Sequence, residues 1–346
     1  MKAAIFRGKG RIDVGERTTP VIQEPTDAVV RVVRGCVCGS DLWYFRGINP
    51  HTQGSIGHEL IGVIEATGDA VSKLAAGDLV IAPFDYSCGE CKNCTAGYTF
   101  ECARSGAFGN GTTDGGQGEY VRAPFADANL VKVPSGSYDD ASLASFLALS
   151  DVMSTGYHAA VSAGVKAGDT VAVVGDGAVG LCAIIAAKML GAERVIALSR
   201  HPARQAVARE FGADEIVEAR GDDAVTVLKD MTEGIGVDAI PECVGTDESM
   251  ATCVGAVRAG GRVGAVGVPN YKSFEYKSLF WRNIGIKGGV APAGTYIPRL
   301  LDAVLKGDIN PGRVFDFTTD LEHIQDAYEA MDERRAIKSQ IKISEV

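Results

Sequence analysis

The sequence predicts an α/β architecture: a β-rich domain interrupted by a doubly wound domain with a parallel sheet. Three observations carry this prediction. Short runs rich in Val and Ile, bounded by Gly, Pro or Asp, dominate residues 1–150, as in barrel-like or sandwich β domains. From residue 170 onward, strand-length apolar runs alternate with helical patterns, which calls for parallel strands joined by crossover helices. After residue 289 the alternation loosens, and a last β-type run covers 339–343. The tail is therefore expected to rejoin the first domain. The expected bounds are 1–152 with 290–346 for the β-rich domain and 153–289 for the inserted one.

Within the first domain, residues 28–34, 60–66 and 79–83 read as strands. Within the second, 171–174, 195–199, 216–218, 237–242 and 262–266 read as strands. The helices expected between them are 179–190, ended by Gly191, then 202–211, stopped by Gly212, and 224–231 and 248–257. Residues 296–306 and 321–331 carry amphipathic helical patterns.

The composition narrows the partners. A net charge of −10 with no long basic run argues against nucleic acid and against an anionic membrane surface. The first residues, MKAAIFRGKGRIDVGE, lack the apolar core of a signal peptide. The longest apolar stretch, 171–190, is interrupted by glycines, Asp176 and Lys188, so no membrane span is expected. Nine cysteines without such a leader suit a reducing cytoplasm, with thiolates held by metal.

Four of those cysteines, Cys88, Cys91, Cys94 and Cys102, have the spacing C-x2-C-x2-C-x7-C. Four soft ligands on short loops can wrap one tetrahedral zinc, and Gly89 and Gly97 permit the tight turns this needs. All four positions of that ion would be filled by protein, so the site is read as structural.

Gly175-Asp176-Gly177-Ala178-Val179-Gly180 is a G-x-G-x-x-G that follows an apolar strand and opens a helix, the context of a dinucleotide site. Gly175 serves the turn, Gly177 the approach of the pyrophosphate and Gly180 the helix packing. The helix start at Ala178 and Val179 offers amide groups to phosphate. An enzyme for NAD usually has Asp or Glu at the end of the next strand. Here that place reads Ser199-Arg200-His201-Pro202-Ala203-Arg204. A hydroxyl and two guanidinium groups suit a 2′-phosphate, so Ser199, Arg200 and Arg204 predict NADP rather than NAD.

Further metal-ligating residues are scattered: Cys38 in Gly-Cys-Val-Cys-Gly-Ser-Asp, His58 in Gly-His-Glu, and Asp151 just before Val152-Met153-Ser154-Thr155-Gly156-Tyr157. The G-C-V-C-G-S-D segment (residues 35–41), the G-H-E-x-x-G segment (Gly57, His58, Glu59, Gly62), the four-cysteine lobe, the S-T-G-Y segment and the glycine fingerprint occur in this order along nearly the full chain. In this the chain resembles the zinc-dependent medium-chain alcohol dehydrogenase family. The resemblance implies a GroES-like catalytic domain around a Rossmann coenzyme domain. It implies Cys38, His58 and Asp151 as ligands of a catalytic zinc, with Glu59 beside the metal and Thr155 in the coenzyme site. The third ligand position is Cys in many members. Asp there resembles the bacterial NADP-dependent secondary alcohol dehydrogenases. Ser40 matches the family hydroxyl that relays the substrate proton. Where many members carry a relay His, this chain has Trp43, which is read as a pocket wall. His51 is a weaker stand-in for that relay, and Phe84, Phe108 and Trp281 are further aromatic candidates.

The expected function is therefore hydride transfer between NADP(H) and a secondary alcohol or its ketone or aldehyde, with two zinc ions per subunit. The alternative within the family is a polyol, threonine or related dehydrogenase, possibly NAD-dependent; outside enzymes, it is a nucleotide-binding protein that has lost catalysis. The resemblance also implies a homotetramer or homodimer, and a small molecule as the only other partner.

Overall fold

The computed structural model describes residues 1–111, 113–270 and 276–346. The chain divides into two compact units, Met1–Asp151 with Pro292–Val346, and Val152–Ala291.

The first unit is β-rich. Its main sheet runs Val131–Lys132, Leu79–Ala82, Leu60–Thr67, Ala28–Cys36, Lys338–Lys342, Phe315–Asp320, with Tyr120–Ala123 also pairing to Ala28–Cys36. Ala28–Cys36 is buried at every residue but Arg31, and even Arg34 is 2% exposed, so burial does not alternate along it. One of its faces packs with Leu60, Ile64 and Val80. A second core gathers Val37, Leu42, Ile56, Tyr328 and Ile341. The tail does rejoin this sheet, with Gln340 opposite Cys36.

Register decides where the loops emerge. Gly35 pairs with Leu60, and Leu60 pairs with Ala82, all antiparallel. The end of Ala28–Cys36, the start of Leu60–Thr67 and the end of Leu79–Ala82 therefore share one rim. Gly62 allows this pairing: a Cβ there would lie 2.4 Å from the Arg31 carbonyl oxygen. Helix Asp140–Leu149 then leads to the same rim. Asp139 caps it by accepting from the Ser142 amide at 2.8 Å.

The second unit is a parallel sheet: β1 (Thr170–Val174), β2 (Arg194–Leu198), β3 (Glu215–Val217), β4 (Val237–Glu242), β5 (Val257–Ala265) and β6 (Gly285–Gly288). Its order, β3-β2-β1-β4-β5-β6, is that of the Rossmann fold, with the ligand crevice expected where β1 meets β4. Helices α1 (Ala178–Met189), α2 (Pro202–Glu210), α3 (Gly221–Asp230) and α4 (Asp247–Ala256) connect the strands. Both halves of the predicted fold class are present.

Some elements differ from the sequence reading. Helices Asp140–Leu149 and Val152–Ala163 were not expected. Residues 143–149 are all buried, so no polar face marks the 3.6-residue period. The last helix starts at Ile324 rather than 321, because the Ile324 amide donates to the Leu321 carbonyl in a turn and the His323 amide to Asp320. Strand β5 starts at Val257 rather than 262, in a glycine-rich stretch where Gly260 takes φ +72°. Strand β6, the sheet edge, also escaped notice. Among the described residues, no helix is long and apolar enough to cross a membrane.

The α1–β1 contact yields a direct test. A Cβ on Gly180 would fall 1.9 Å from the Gly175 carbonyl oxygen. Gly180→Ala should cost about 1–3 kcal/mol or more, seen as a lower urea midpoint for the full chain, together with weaker dinucleotide binding.

Candidate metal centres and coenzyme turn

The shared rim assembles the first centre. Cys38 follows Ala28–Cys36, and His58 and Glu59 precede Leu60–Thr67. Ser150, fully buried, fixes the segment carrying Asp151: its hydroxyl donates to the Ala82 carbonyl at 2.7 Å and accepts from the Leu60 amide at 3.3 Å. Its carbonyl accepts from the Phe84 amide at 3.1 Å. As a result Cys38 Sγ lies 3.7 Å from Asp151 Oδ2, and His58 Nε2 lies 3.4 Å from the same oxygen. Ligand atoms of Cys38, His58, Glu59 and Asp151 all lie within 4.8 Å of one another.

The surroundings favour a cation at this point. Burial opposes a charged His58, but the negative charges of Cys38 and Asp41 and a bond to Asp151 outweigh it and hold the imidazole pKa well above its ordinary value. Three anionic or polarisable donors and one imidazole form a donor set suited to zinc. Glu59 differs from the others. Its side chain is fully buried and Oε1 accepts from Lys338 Nζ at 2.7 Å, while His58 Nε2 is 4.0 Å away. Burial pushes the Glu59 carboxyl up, and the Lys338 ammonium pulls it back. Glu59 is thereby tied through Oε1 to the strand behind the centre, while its Oε2 is buried without a hydrogen-bond partner among the described residues; Cys38 and His58 converge on Asp151 Oδ2.

A buried network orients this set from behind. Asp41 Oδ1 lies 3.6 Å from His58 Nδ1, an electrostatic contact longer than a hydrogen bond. Its Oδ2 accepts from the Cys38 amide at 3.0 Å, so one carboxylate addresses two metal-site residues. Gln117 Nε2 donates to the Cys36 carbonyl at 3.0 Å, and Tyr328 donates to Gln117 Oε1 at 2.9 Å. Gln117 also packs under Gly57, where a Cβ would sit 2.5 Å from its Cγ; Gly57 takes φ +90°, so glycine is required there. Asp41 lay inside a quoted motif without a role; Gln117, Tyr328, Lys338 and Ser150 had no local signal, since only tertiary pairing brings them here.

Ser40 is the N-cap of helix Asp41–Phe45, and its hydroxyl makes no hydrogen bond among the described residues. Trp43 is half-buried in the same helix. The Phe84 ring meets the His58 ring edge-on at 6.4 Å. Phe108 is core instead, against Tyr86. His51 stacks on Tyr44 and Phe6 and bonds the Ser55 carbonyl through Nε2 at 3.2 Å, so this imidazole is already committed to packing. Trp281 is exposed on helix Tyr276–Arg282 of the other unit.

The cysteine lobe forms the second centre. Sulfur separations are 3.5 Å for Cys91–Cys94, 3.5 Å for Cys88–Cys102 and 3.9 Å for Cys88–Cys94. Four sulfurs at 2.3 Å from a tetrahedral ion would be about 3.8 Å apart, so the lobe fits zinc with all positions taken. The thiols differ: the Glu90 N–H, with smaller help from Cys91, brings the Cys88 pKa down to about 6 against burial, whereas burial pushes Cys94 up to about 11. Gly89 and Gly97 take φ +75° and +85° in the wrapping turns.

In the second unit, Gly175 takes φ +118° and Gly177 caps α1. Nothing lies within 4 Å of where a Gly177 Cβ would be, so this face of the turn is open to a phosphate. Ala178 and Val179 begin α1, and Thr155 lies in helix Val152–Ala163. Ser199 is buried just beyond β2 and Arg200 is exposed beside it, while Arg204 is in α2. A carboxylate not assigned from sequence, Asp176, accepts from Ser199 Oγ at 2.9 Å and pairs with Arg204 Nη1 at 3.1 Å.

Comparison with known proteins identifies the family. Family models match at residues 24–135 (alcohol dehydrogenase GroES-like domain) and 178–306 (zinc-binding dehydrogenase). Zinc-type alcohol dehydrogenase B of Aspergillus flavus is 33% identical over all of this chain and 82% of its own length. Among solved structures, alcohol dehydrogenase TADH from Thermus sp. ATN1 superposes with a TM-score of 0.92 at 34% identity, over 99% of this chain and 100% of that one. A zinc-binding dehydrogenase of Sinorhizobium meliloti, bound to NADP, gives 0.85 at 27% identity, over 99% and 98%. The chain belongs to the zinc-dependent medium-chain dehydrogenase/reductase family and is an oxidoreductase of the alcohol dehydrogenase type.

Asp85 gives a pH test. It is buried, Oδ2 has no partner, and burial, reinforced by the Asp151 charge, pushes its carboxyl up to about 7. The folded chain then binds a proton that the unfolded chain releases between about pH 4 and pH 7, so this residue lowers stability as pH rises through that window. Asp85→Asn should raise the urea midpoint at pH 8 and leave it nearly unchanged at pH 4. An equal shift at both values would contradict the assignment.

Proposed function

We propose that this enzyme transfers a hydride between NADP(H) and a secondary alcohol or the matching ketone or aldehyde, using one catalytic and one structural zinc per subunit. The observation that carries the reading is the convergence of Cys38 Sγ and His58 Nε2 on Asp151 Oδ2, with the fourth group of the cluster, Glu59, bonded to Lys338 through Oε1. Three protein ligands are what a catalytic zinc site requires, since one position must stay open. When bound there, zinc supplies Lewis-acid polarisation of the substrate oxygen.

The remaining work falls to side chains. Asp41 holds His58 and the Cys38 amide in place. Ser40, which is partly exposed, accepts the alcohol proton at Oγ and releases its own to solvent water. Trp43 and Phe84 supply apolar wall that limits water and selects substrate shape. In the coenzyme turn, the N-terminus of α1 receives the pyrophosphate, with Ser199, Arg200 and Arg204 as the donors for a 2′-phosphate.

Five cysteines that would hold metal, Cys38, Cys88, Cys91, Cys94 and Cys102, suit a reducing compartment, the cytoplasm. We also propose a homo-oligomer, a tetramer or dimer. Strand β6 is a sheet edge, and Phe280 and Trp281 on the helix before it are 60% and 72% exposed. Such an edge with large apolar neighbours is commonly covered by another chain. Trp281→Glu should lower the mass seen by light scattering; an unchanged mass would reject this face.

Steady-state rates on secondary alcohols, ketones, polyols and amino acids, each with both coenzymes, test the activity. Secondary alcohols and their ketones should give the highest kcat/KM, with NADP(H) preferred. Arg200→Ala should weaken NADPH binding about tenfold while changing NADH binding little; equal losses would contradict its phosphate role.

A further inference from the structure

The coenzyme turn carries a charge that its glycine pattern does not require. Asp176 lies between Gly175 and Gly177. Its Oδ2 accepts from the Ser199 hydroxyl at 2.9 Å. Its Oδ1 lies 3.1 Å from Arg204 Nη1, which also reaches the Asp176 carbonyl at 3.4 Å. Ser199 is 3% exposed, and the Asp176 and Arg204 side chains are 16% and 17% exposed. Two of the three groups suited to a 2′-phosphate therefore already hold an anion supplied by the chain itself. The third, Arg200, is exposed and makes no ion pair among the described residues.

A carboxylate and a phosphate ask for the same donors, a hydroxyl and a guanidinium. A 2′-phosphate entering this place meets both a competitor for those donors and a like charge in a poorly solvated setting. A ribose 2′-hydroxyl meets an acceptor instead. Dinucleotide sites for NAD obtain that acceptor from an acid at the end of the second strand. In this chain the strand ends in Leu198 and Ser199, and the acid arrives from the glycine turn.

We propose that Asp176 sets the coenzyme selectivity of this enzyme. It competes with the 2′-phosphate for Ser199 and Arg204, and it accepts from the ribose hydroxyls when NAD(H) is bound. The proposal deepens the coenzyme reading above and rests on the dinucleotide occupying this turn. The test is titration of the full-length holoenzyme with NADPH and with NADH, followed by coenzyme fluorescence, for the native chain, Asp176→Asn, Asp176→Ser and Asp176→Asn with Arg204→Ala. Melting temperatures report whether each variant folds, and the two single variants guard against one failing to. Removing the charge should tighten NADPH binding about tenfold or more, leave NADH binding equal or weaker, and the added Arg204→Ala should erase the gain. Unchanged NADPH affinity, or equal tightening of both coenzymes, would overturn the proposal. The two readings can fail separately. If the native chain prefers NADH and Asp176→Asn reverses the order, NADP as the native coenzyme fails and the role of Asp176 stands. If the native chain prefers NADPH and neither single variant alters it, the coenzyme reading stands and Asp176 is only a turn residue.

Discussion

The antiparallel register that sets Gly35 against Leu60 and Leu60 against Ala82 governs everything at the first metal centre. A slip of one residue would turn every side chain to the opposite face and carry Cys38, His58 and Asp151 apart. The register is held by close approach at Gly62, and by Ser150, whose single hydroxyl bonds both neighbouring strands. Ligands far apart in sequence thus depend on backbone hydrogen bonds that involve none of them directly.

Electrostatics then separates roles within one cluster. Four potential ligands meet, yet Lys338 binds one of them at 2.7 Å in a fully buried pair. Such a pair is costly to break from one side, so the tail strand fixes Glu59 through Oε1, while Oε2 is buried without a hydrogen-bond partner among the described residues. Asp41 works in the opposite sense, supporting His58 and the Cys38 amide. The cysteine lobe has no such division. Its four sulfurs all lie within 4.8 Å of one another, a set that would fill every position of a tetrahedral zinc.

The sequence made the fold class legible because the switch from β-type runs to alternating strands and helices is strong, and because the glycine turn sits in its proper context. The metal-site residues were legible as motifs: each brings a short, distinctive neighbourhood, and the resemblance to a family joined them. What stayed hidden has physical reasons. Helix Asp140–Leu149 is so completely buried that it shows no amphipathic period. Lys338 and Tyr328 look like ordinary strand and helix residues until the sheet closes. Asp176 was read only as an unspecified position within a glycine pattern, although its side chain engages both Ser199 and Arg204. Phe108 takes the commoner of the two roles open to such an aromatic and is core.

Two candidate metal clusters of different kinds are present, one of four cysteines and one of mixed donors. The most direct test is zinc per chain in purified native protein and in Asp151→Ala, with thermal stability measured alongside. The account predicts two zinc ions in the native protein and one in the variant, which should lose activity yet melt within a few degrees of the native chain. A variant that keeps both ions and full activity, or a native protein that never holds more than one, would contradict it.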